Sequence, residues 1–422
     1  MISSLDWNAR FTPPLESFEK PKYEYALEGL RGIAALNVCY SHIALGRPEN
    51  LDVGYQLGGI FNHFYADRDS VLIFFLLSGY VIGLTNVEKF SKTGTIQYLI
   101  RRGIRLLPMY FFAILLSVLA SSKDSLGTII SNLFFLQNVI SPSLAANGAL
   151  WSLNYEVIYY LAFPLVLYFR PKVLNLLLGT FILVCVGWVI HPFPQIISGY
   201  LAGWLFWLMG LWLAWKVPHR AHQISVPLVS YFLLFLATGE FHLGAVILGA
   251  LKLGNPNPNY VSLQNLTSLP ICIALVATVA NRPSKLNRWL HIIAFAIPLT
   301  AVAYAFIFKS GVKSESWAVG TFEVVAAIAL LWWRIKPDIL KNLAFFGSIS
   351  YGLYVLHMPI TVIVRNNFPS MISGNLGSFL IRLVIWSLLT IALAYLLEIK
   401  IQPIIKKWSK EHILSRFANL FT

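Results

Sequence analysis

Two residues that hydrocarbon rejects stand in one apolar stretch near the start of the chain. Residues 26–46 read ALEGLRGIAALNVCYSHIALG and hold Arg31 and His42. At about 100° and ~1.5 Å per residue, the two fall within ~20° of one helix face and ~16 Å apart. A charge in hydrocarbon costs at least ~2.5–3.5 kcal/mol on insertion scales, so such residues face a bundle interior or a water-filled path. The face thus presents a cation and a titratable base whose unperturbed pKa, roughly 6.5, suits proton transfer near neutral pH. The structural alternatives are a snorkelling Arg with an interhelical His hydrogen bond, or a bis-His haem pair with His357.

Four further constellations are candidates for the same chemistry. Arg102 and Arg105, in Arg101-Arg102-Gly-Ile-Arg105, share a helix face at i, i+3. They are either ordinary loop-flanking charge or a pair of guanidinium forks for phosphate oxygens, which Arg binds bidentately. Ser78-Gly79, in an apolar run, lets another backbone or a thin ligand chain approach closely. Trp151-Ser-Leu-Asn-Tyr-Glu156, followed by Tyr159 and Tyr160, places a carboxylate one turn into an apolar segment among phenols. An interfacial aromatic belt accounts for its rings but not for Glu156; an aromatic, polar patch also suits a carbohydrate. Finally, in Ser350-Tyr351-Gly-Leu-Tyr354-Val-Leu-His357, Ser350 and His357 share a helix face with Tyr354 close to it, and Glu323 and Arg382 are further ionisable groups read as snorkelling or structural.

The elements that must position these residues are membrane helices. The 422 residues are 57% hydrophobic and only 12% charged, with mean hydropathy +0.67, against roughly 25% charged in soluble domains. Apolar runs fall near residues 26–46, 70–86, 106–121, 149–169, 173–191, 196–215, 226–251, 266–280, 289–308, 317–335, 343–364 and 377–399. The expected fold is an all-α, polytopic bundle of about 10–12 transmembrane helices. The run at 226–251 is interrupted at Gly239-Glu240, and 126–140 reads as a weaker amphipathic, re-entrant or interfacial stretch. Residues 1–25 form a polar lead-in, 26–400 the membrane domain, and 401–422 a basic amphipathic tail along the membrane surface.

The net charge of +14 is spread over short loops, which argues against nucleic-acid binding and for the positive-inside rule. Basic connections (Arg101 to Arg105; Arg170 and Lys172; Lys216 and Arg220; Arg334, Lys336 and Lys341; Lys406, Lys407 and Lys410) alternate with basic-poor ones. The alternation predicts a multi-pass protein of the plasma membrane (the inner membrane of the cell) with both termini cytoplasmic. Arg31 then lies toward the cytosol and His42 toward the outside. Cys39, Cys185 and Cys272 sit in apolar runs without metal-ligand or disulfide spacing, so no metal is expected.

Taken together these motifs resemble acyltransferase family 3, the integral membrane acyltransferases. The resemblance runs in order through GLRGIAALNVCYSH (29–42), IFFLLSGYVIG (73–83), RRGIRLLPMY (101–110), NGALWSLNYEVIYYLAFP (147–164) and ISYGLYVLHMPI (349–360). Residues 173–335 match only as generic spanning helices. Many relatives place an acid directly before the Phe-Phe-x-x-Ser-Gly run; here that position is Leu72 and the nearest acid is Asp69.

The resemblance implies an O-acyltransferase with no bound cofactor. It would move acetyl, or another acyl group, from cytosolic acetyl-CoA to a hydroxyl of a carbohydrate such as an exopolysaccharide or lipid-linked glycan. It assigns catalysis to His42 and Arg31 and donor binding to Arg102 and Arg105; Ser78 and Gly79, which permit close approach, are expected along the pantetheine arm. Trp151, Glu156, Tyr160, Tyr351 and His357 are expected to bind the acceptor or support the site. The rival class is a transporter or flippase for a glycan or small solute, because intramembrane His, Glu and Arg also mark proton-coupled paths.

Overall fold

A computed structural model of the chain describes residues 24–44, 50–52, 54–86, 90–189, 195–220, 222–253, 261–282, 285–308, 315–367 and 373–414. The lead-in, save its last two residues, and the final eight residues of the tail lie outside this set. Among the described residues the only β pairing is two isolated bridges; everything else regular is helical.

Helices α1 (Tyr25–Ala44), α2 (Asp67–Thr85), α3 (Lys92–Ala120), α4 (Leu126–Leu133), α5 (Trp151–Phe169), α6 (Val173–Val189) and α7 (Gln195–Lys216) form the first half. The second half holds α8 (Leu228–Phe241), α9 (Leu243–Ala250), α10 (Leu269–Val279), α11 (Lys285–Phe308), α12 (Glu315–Ala329), α13 (Ala344–Ser348), α14 (Ser350–Asn367), α15 (Leu376–Tyr395) and α16 (Gln402–Ser409).

Among the described residues, six helices are long and apolar enough to cross a membrane, and a seventh forms if the pair Pro337–Ser348 and Ser350–Asn367, bent by 53°, counts as one span. Three shorter apolar helices, Val173–Val189, Leu263–Val279 and Trp289–Tyr304, account for further runs in the sequence. The chain is therefore a multi-pass membrane protein. Runs of near-equal hydropathy became helices of very different length because several are broken inside the protein, where neighbouring chain rather than lipid satisfies the backbone.

Two layers are evident from burial. Helices α1, α2, α7, α10 and α14 bury most of their length and form the centre. By contrast α3, α6, α11 and α15 present Leu115, Leu119, Phe181, Ile182, Ile292, Val384 and Leu388 outward, as a lipid-facing layer does. The centre is tied by close backbone approach. A Cβ on Gly79 of α2 would sit 1.9 Å from the Trp207 carbonyl oxygen of α7, and one on Gly210 of α7 the same distance from the Leu76 carbonyl oxygen of α2. Only glycine admits this spacing.

Four local expectations are moved or narrowed. The interruption in the seventh run falls not at Gly239-Glu240 but at His242, whose φ of 44° ends α8 and begins α9. Residues 126–140 make one short helix and then turn back at Phe135 and Asn138, with Phe135 stacked on Tyr110 at 4.0 Å. The basic tail does not leave the last span: residues Leu376–Ile413 are one helical body with a π-helical turn at Leu396–Ile401. Arg382 does not snorkel, since it is 1% exposed and its Nη1 lies 3.0 Å from Asp52 Oδ1. Glu323 is likewise buried.

Candidate active site

Proline chemistry prepares both ends of the site. A proline inside a helix cannot donate to the carbonyl four residues earlier. In α3, Pro108 leaves the Ile104 carbonyl without that donor, and Gln402 Nε2 of α16 supplies one at 2.6 Å. In α14, Pro359 leaves the Val355 carbonyl, and Asn147 Nδ2 donates to it at 2.9 Å. The first bond docks the C-terminal helix beside Arg102 and Arg105. The second docks the turn before α5 beside His357.

The Arg-rich end gathers side chains from six helices. Arg102 lies between two phenol rings, 5.6 Å from Tyr98 and 5.7 Å from Tyr160, and its Nε is buried without a hydrogen-bond partner among the described residues. Tyr160 donates a short hydrogen bond to Glu156. Ser78 Oγ lies 3.4 Å from Glu156 Oε1 and 3.5 Å from the Tyr160 hydroxyl. Arg105 faces the charges of Glu398, Glu156 and Glu28. Arg31 pairs with Glu28 at 2.8 Å, one turn earlier on α1, and shares the field of Glu398 with Arg105. Tyr351 closes the group, its hydroxyl donating to the Leu106 carbonyl at 3.1 Å. Lys406 adds a further cation near Arg105 and Arg102.

The other end is built around imidazole. His42 Nδ1 lies 2.9 Å from the Val38 carbonyl. A carbonyl only accepts, so neutral His42 carries its proton on Nδ1 and its lone pair on Nε2. His357 is arranged in the same way: its Nδ1 lies 2.7 Å from the Tyr354 carbonyl, and the two rings are 5.1 Å apart. His357 is wholly buried, and its Nε2 has no hydrogen-bond partner among the described residues. The Tyr354 hydroxyl lies 2.7 Å from Ser152 Oγ and donates to the Ala149 carbonyl at 2.9 Å. Asn37 accepts from the Ala66 N–H at 2.7 Å, which fixes the start of α2 against α1. A cavity of about 400 Å³ opens here, lined among others by His42, Asp67, Arg68, Trp151, Tyr354 and Met358. The Arg68 guanidinium stands 5.4 Å over the Trp151 ring.

The candidate residues therefore divide differently from the sequence reading. His42, Trp151 and His357 meet at the cavity end. Arg31, Arg102, Arg105, Ser78, Glu156, Tyr160 and Tyr351 meet at the Arg-rich end. Glu156 and Tyr160, expected beside Trp151 on the acceptor side, face the arginines instead, because about one and a half and two and a half turns of α5 carry them away from that mouth. Gly79, expected along the donor arm, faces the α7 backbone, so its space is already filled. Arg31 and His42 lie on an uninterrupted helix and remain ~16 Å apart.

Two contributors escaped the sequence reading. Glu398 accepts from the Gly352 N–H at 2.5 Å, capping the first turn of α14 and bringing a carboxylate to the arginines. Its signal was an acid inside the last apolar run. Arg68, from a stretch that the sequence marks only as a basic-poor connection, lines the cavity from the first turn of α2. Among the described residues no cluster of His, Cys, Asp or Glu could hold a metal ion.

Among the described residues the helices thus bring a half-buried and a buried imidazole to one end of the site and clustered guanidinium groups to the other. The sequence profile of the acyltransferase family 3 acyltransferase domain matches residues 24–399. The chain belongs to acyltransferase family 3. No curated protein and no solved structure matches it.

Proposed function

We propose that the protein is an O-acetyltransferase of the plasma membrane, taking acetyl from cytosolic acetyl-CoA to a hydroxyl of a cell-surface carbohydrate. The observation that carries this reading is His42. Its Nδ1–H is held by the Val38 carbonyl, which directs basic Nε2 character to an imidazole lining a polar cavity. That is the arrangement a general base for a hydroxyl needs.

In this reading the Arg-rich end faces the cytosol. Arg102 and Arg105 hold the phosphates of coenzyme A, a role favoured by the buried Arg102 Nε, which has no hydrogen-bond partner among the described residues. Arg31 acts with them in orienting the donor, since a group ~16 Å from His42 cannot also touch the reacting carbonyl. Ser78, Glu156, Tyr160 and Tyr351 support this grip. The acceptor hydroxyl sits in the cavity between His42 and Trp151, whose ring offers a face for a sugar.

His42 Nε2 takes the hydroxyl proton while the acceptor oxygen attacks the thioester carbon. The C–S bond then breaks and the leaving thiolate takes the proton from the imidazolium, so atoms and charge balance. His357 packs behind His42 and holds its ring. The thin thioester arm reaches into the bundle while the charged nucleotide stays in water.

The test is incubation of purified protein in nanodiscs with radiolabelled acetyl-CoA and the host's own de-esterified surface glycan. Alkali-labile label on the glycan is expected. Glycan transport without any label transfer would replace this reading with a transporter.

A further inference from the structure

Beside the His42 cavity lies a second one, of about 370 Å³, and the two share Asp67 and Arg68 in their walls. Three interruptions of regular helix meet around it. These are the start of α2, the left-handed break at His242 between α8 and α9, and the 3-10 turn Leu263–Ser268. Each interruption frees backbone donors and acceptors. Irregular backbone within a membrane protein is tolerated where it is buried in protein or lines a water-filled cavity.

The lining fits a neutral, hydroxyl-rich guest. Gln264, Thr267 and His242 contribute uncharged hydrogen-bonding groups, Asp67 and Arg68 offset each other in charge, and Asp69, also in the wall, adds a carboxyl hydrogen-bonded to Ser268. Sugar hydroxyls donate and accept at once, so they use such a mixed set fully, whereas a phosphate uses only donors. The volume lies within the range of small-ligand sites. The floor is held firmly: a Cβ on Gly244 of α9 would come within 2.0 Å of the Gln264 carbonyl oxygen, so α9 and the 3-10 turn are in backbone contact.

We propose that this second cavity is a subsite for the sugar residue adjoining the one presented to His42, so that the protein acts on a polymer or oligosaccharide rather than on a free monosaccharide. The proposal rests on the acyltransferase reading for its first cavity. The first turn of α2 then acts as a saddle between neighbouring rings. Arg68, already over Trp151 on one side, reaches the glycosidic linkage.

The test compares wild type with Gln264→Ala and His242→Asn, the latter because Asn tolerates the left-handed backbone. Acceptors are mono-, di- and tetrasaccharide fragments of the host's own de-esterified surface glycan. For both variants kcat/KM should fall about 10-fold on the di- and tetrasaccharides, the scale of one or two lost hydrogen bonds. It should be unchanged on the monosaccharide, and the KM for acetyl-CoA should not move. Calorimetric titration of the same fragments without acetyl-CoA should show the same length-dependent loss, with thermal melting unchanged.

Equal losses on every fragment, or none on any, would overturn the subsite while leaving acyl transfer intact. Length-dependent binding that the variants weaken, in a wild type that transfers no acetyl group, would retain the subsite and overturn the acyltransferase reading. A wild type that neither binds nor acetylates any fragment would overturn both.

Discussion

The Arg-rich end and the imidazole end place polar groups among apolar helices by opposite means. At the first, Arg31 and Arg105 are set among Glu28, Glu156 and Glu398, so each has a counter-charge nearby, and Arg102 lies between two phenol rings. At the second, His42 meets a second imidazole, the Ser41 hydroxyl and the Val38 carbonyl, with Asp67 and Arg68 offsetting each other in the same cavity wall. The difference teaches what each end can receive. Clustered guanidinium groups suit a polyanion and hold it weakly if their own carboxylates compete. A neutral, hydrogen-bonded imidazole suits a hydroxyl, whose proton it can take without a large electrostatic penalty.

The sharpest way to break this comparison is His42→Ala. Acetyl transfer should fall by about 10²–10⁴-fold, the usual contribution of a general base, with acetyl-CoA binding unchanged by calorimetry. Retained activity would remove the imidazole end from the chemistry. Next, Arg102→Ala combined with Arg105→Ala should raise the KM for acetyl-CoA about 10- to 100-fold, the scale of one or two charge-assisted hydrogen bonds. If only kcat fell, the arginines would belong with the reaction and not with the donor.

Smaller effects separate packing from function. Gly79→Ala forces a Cβ against the Trp207 carbonyl oxygen and should cost about 1–3 kcal/mol as overpacking, seen as a lower melting temperature. A selective rise in acetyl-CoA KM at unchanged melting would instead restore Gly79 to the donor path. Asn147→Leu removes the donor to the Val355 carbonyl and should cost about 1–2 kcal/mol, with KM for acetyl-CoA unaffected.

The smallest effect concerns Glu24, just ahead of α1. Its carboxyl is pushed up to about 7 by burial, against the opposing pull of Arg282 and a hydrogen bond from Tyr80. A raised acid pKa means the native state keeps a proton that the unfolded chain releases above about 4.5. Stability should therefore decline as pH rises from about 4.5 to about 7. Glu24→Gln should remove that component, and an unchanged pH profile of melting would refute it.

The motifs that carry the site were legible because hydrocarbon penalises polar residues, so Arg31, His42, Arg102, Arg105, Glu156 and His357 stood out against apolar runs. Their grouping was not. Trp151 and Glu156 are near neighbours in sequence but belong to opposite ends, since α5 turns and rises between them. Glu398 is some 240 residues from Glu156, yet both face Arg105. Nothing in local pattern announces that meeting.

The amino-acid sequence by itself determined an all-helical, multi-pass membrane protein of acyltransferase family 3, because hydropathy and residue spacing are local properties that lipid enforces segment by segment. Only the tertiary structure decided where helices break, which prolines are compensated by Gln402 and Asn147, and which polar residues share an end of the bundle. Those outcomes depend on contacts between distant segments, where one chain's freed carbonyl meets another's donor, and a linear pattern does not encode that pairing.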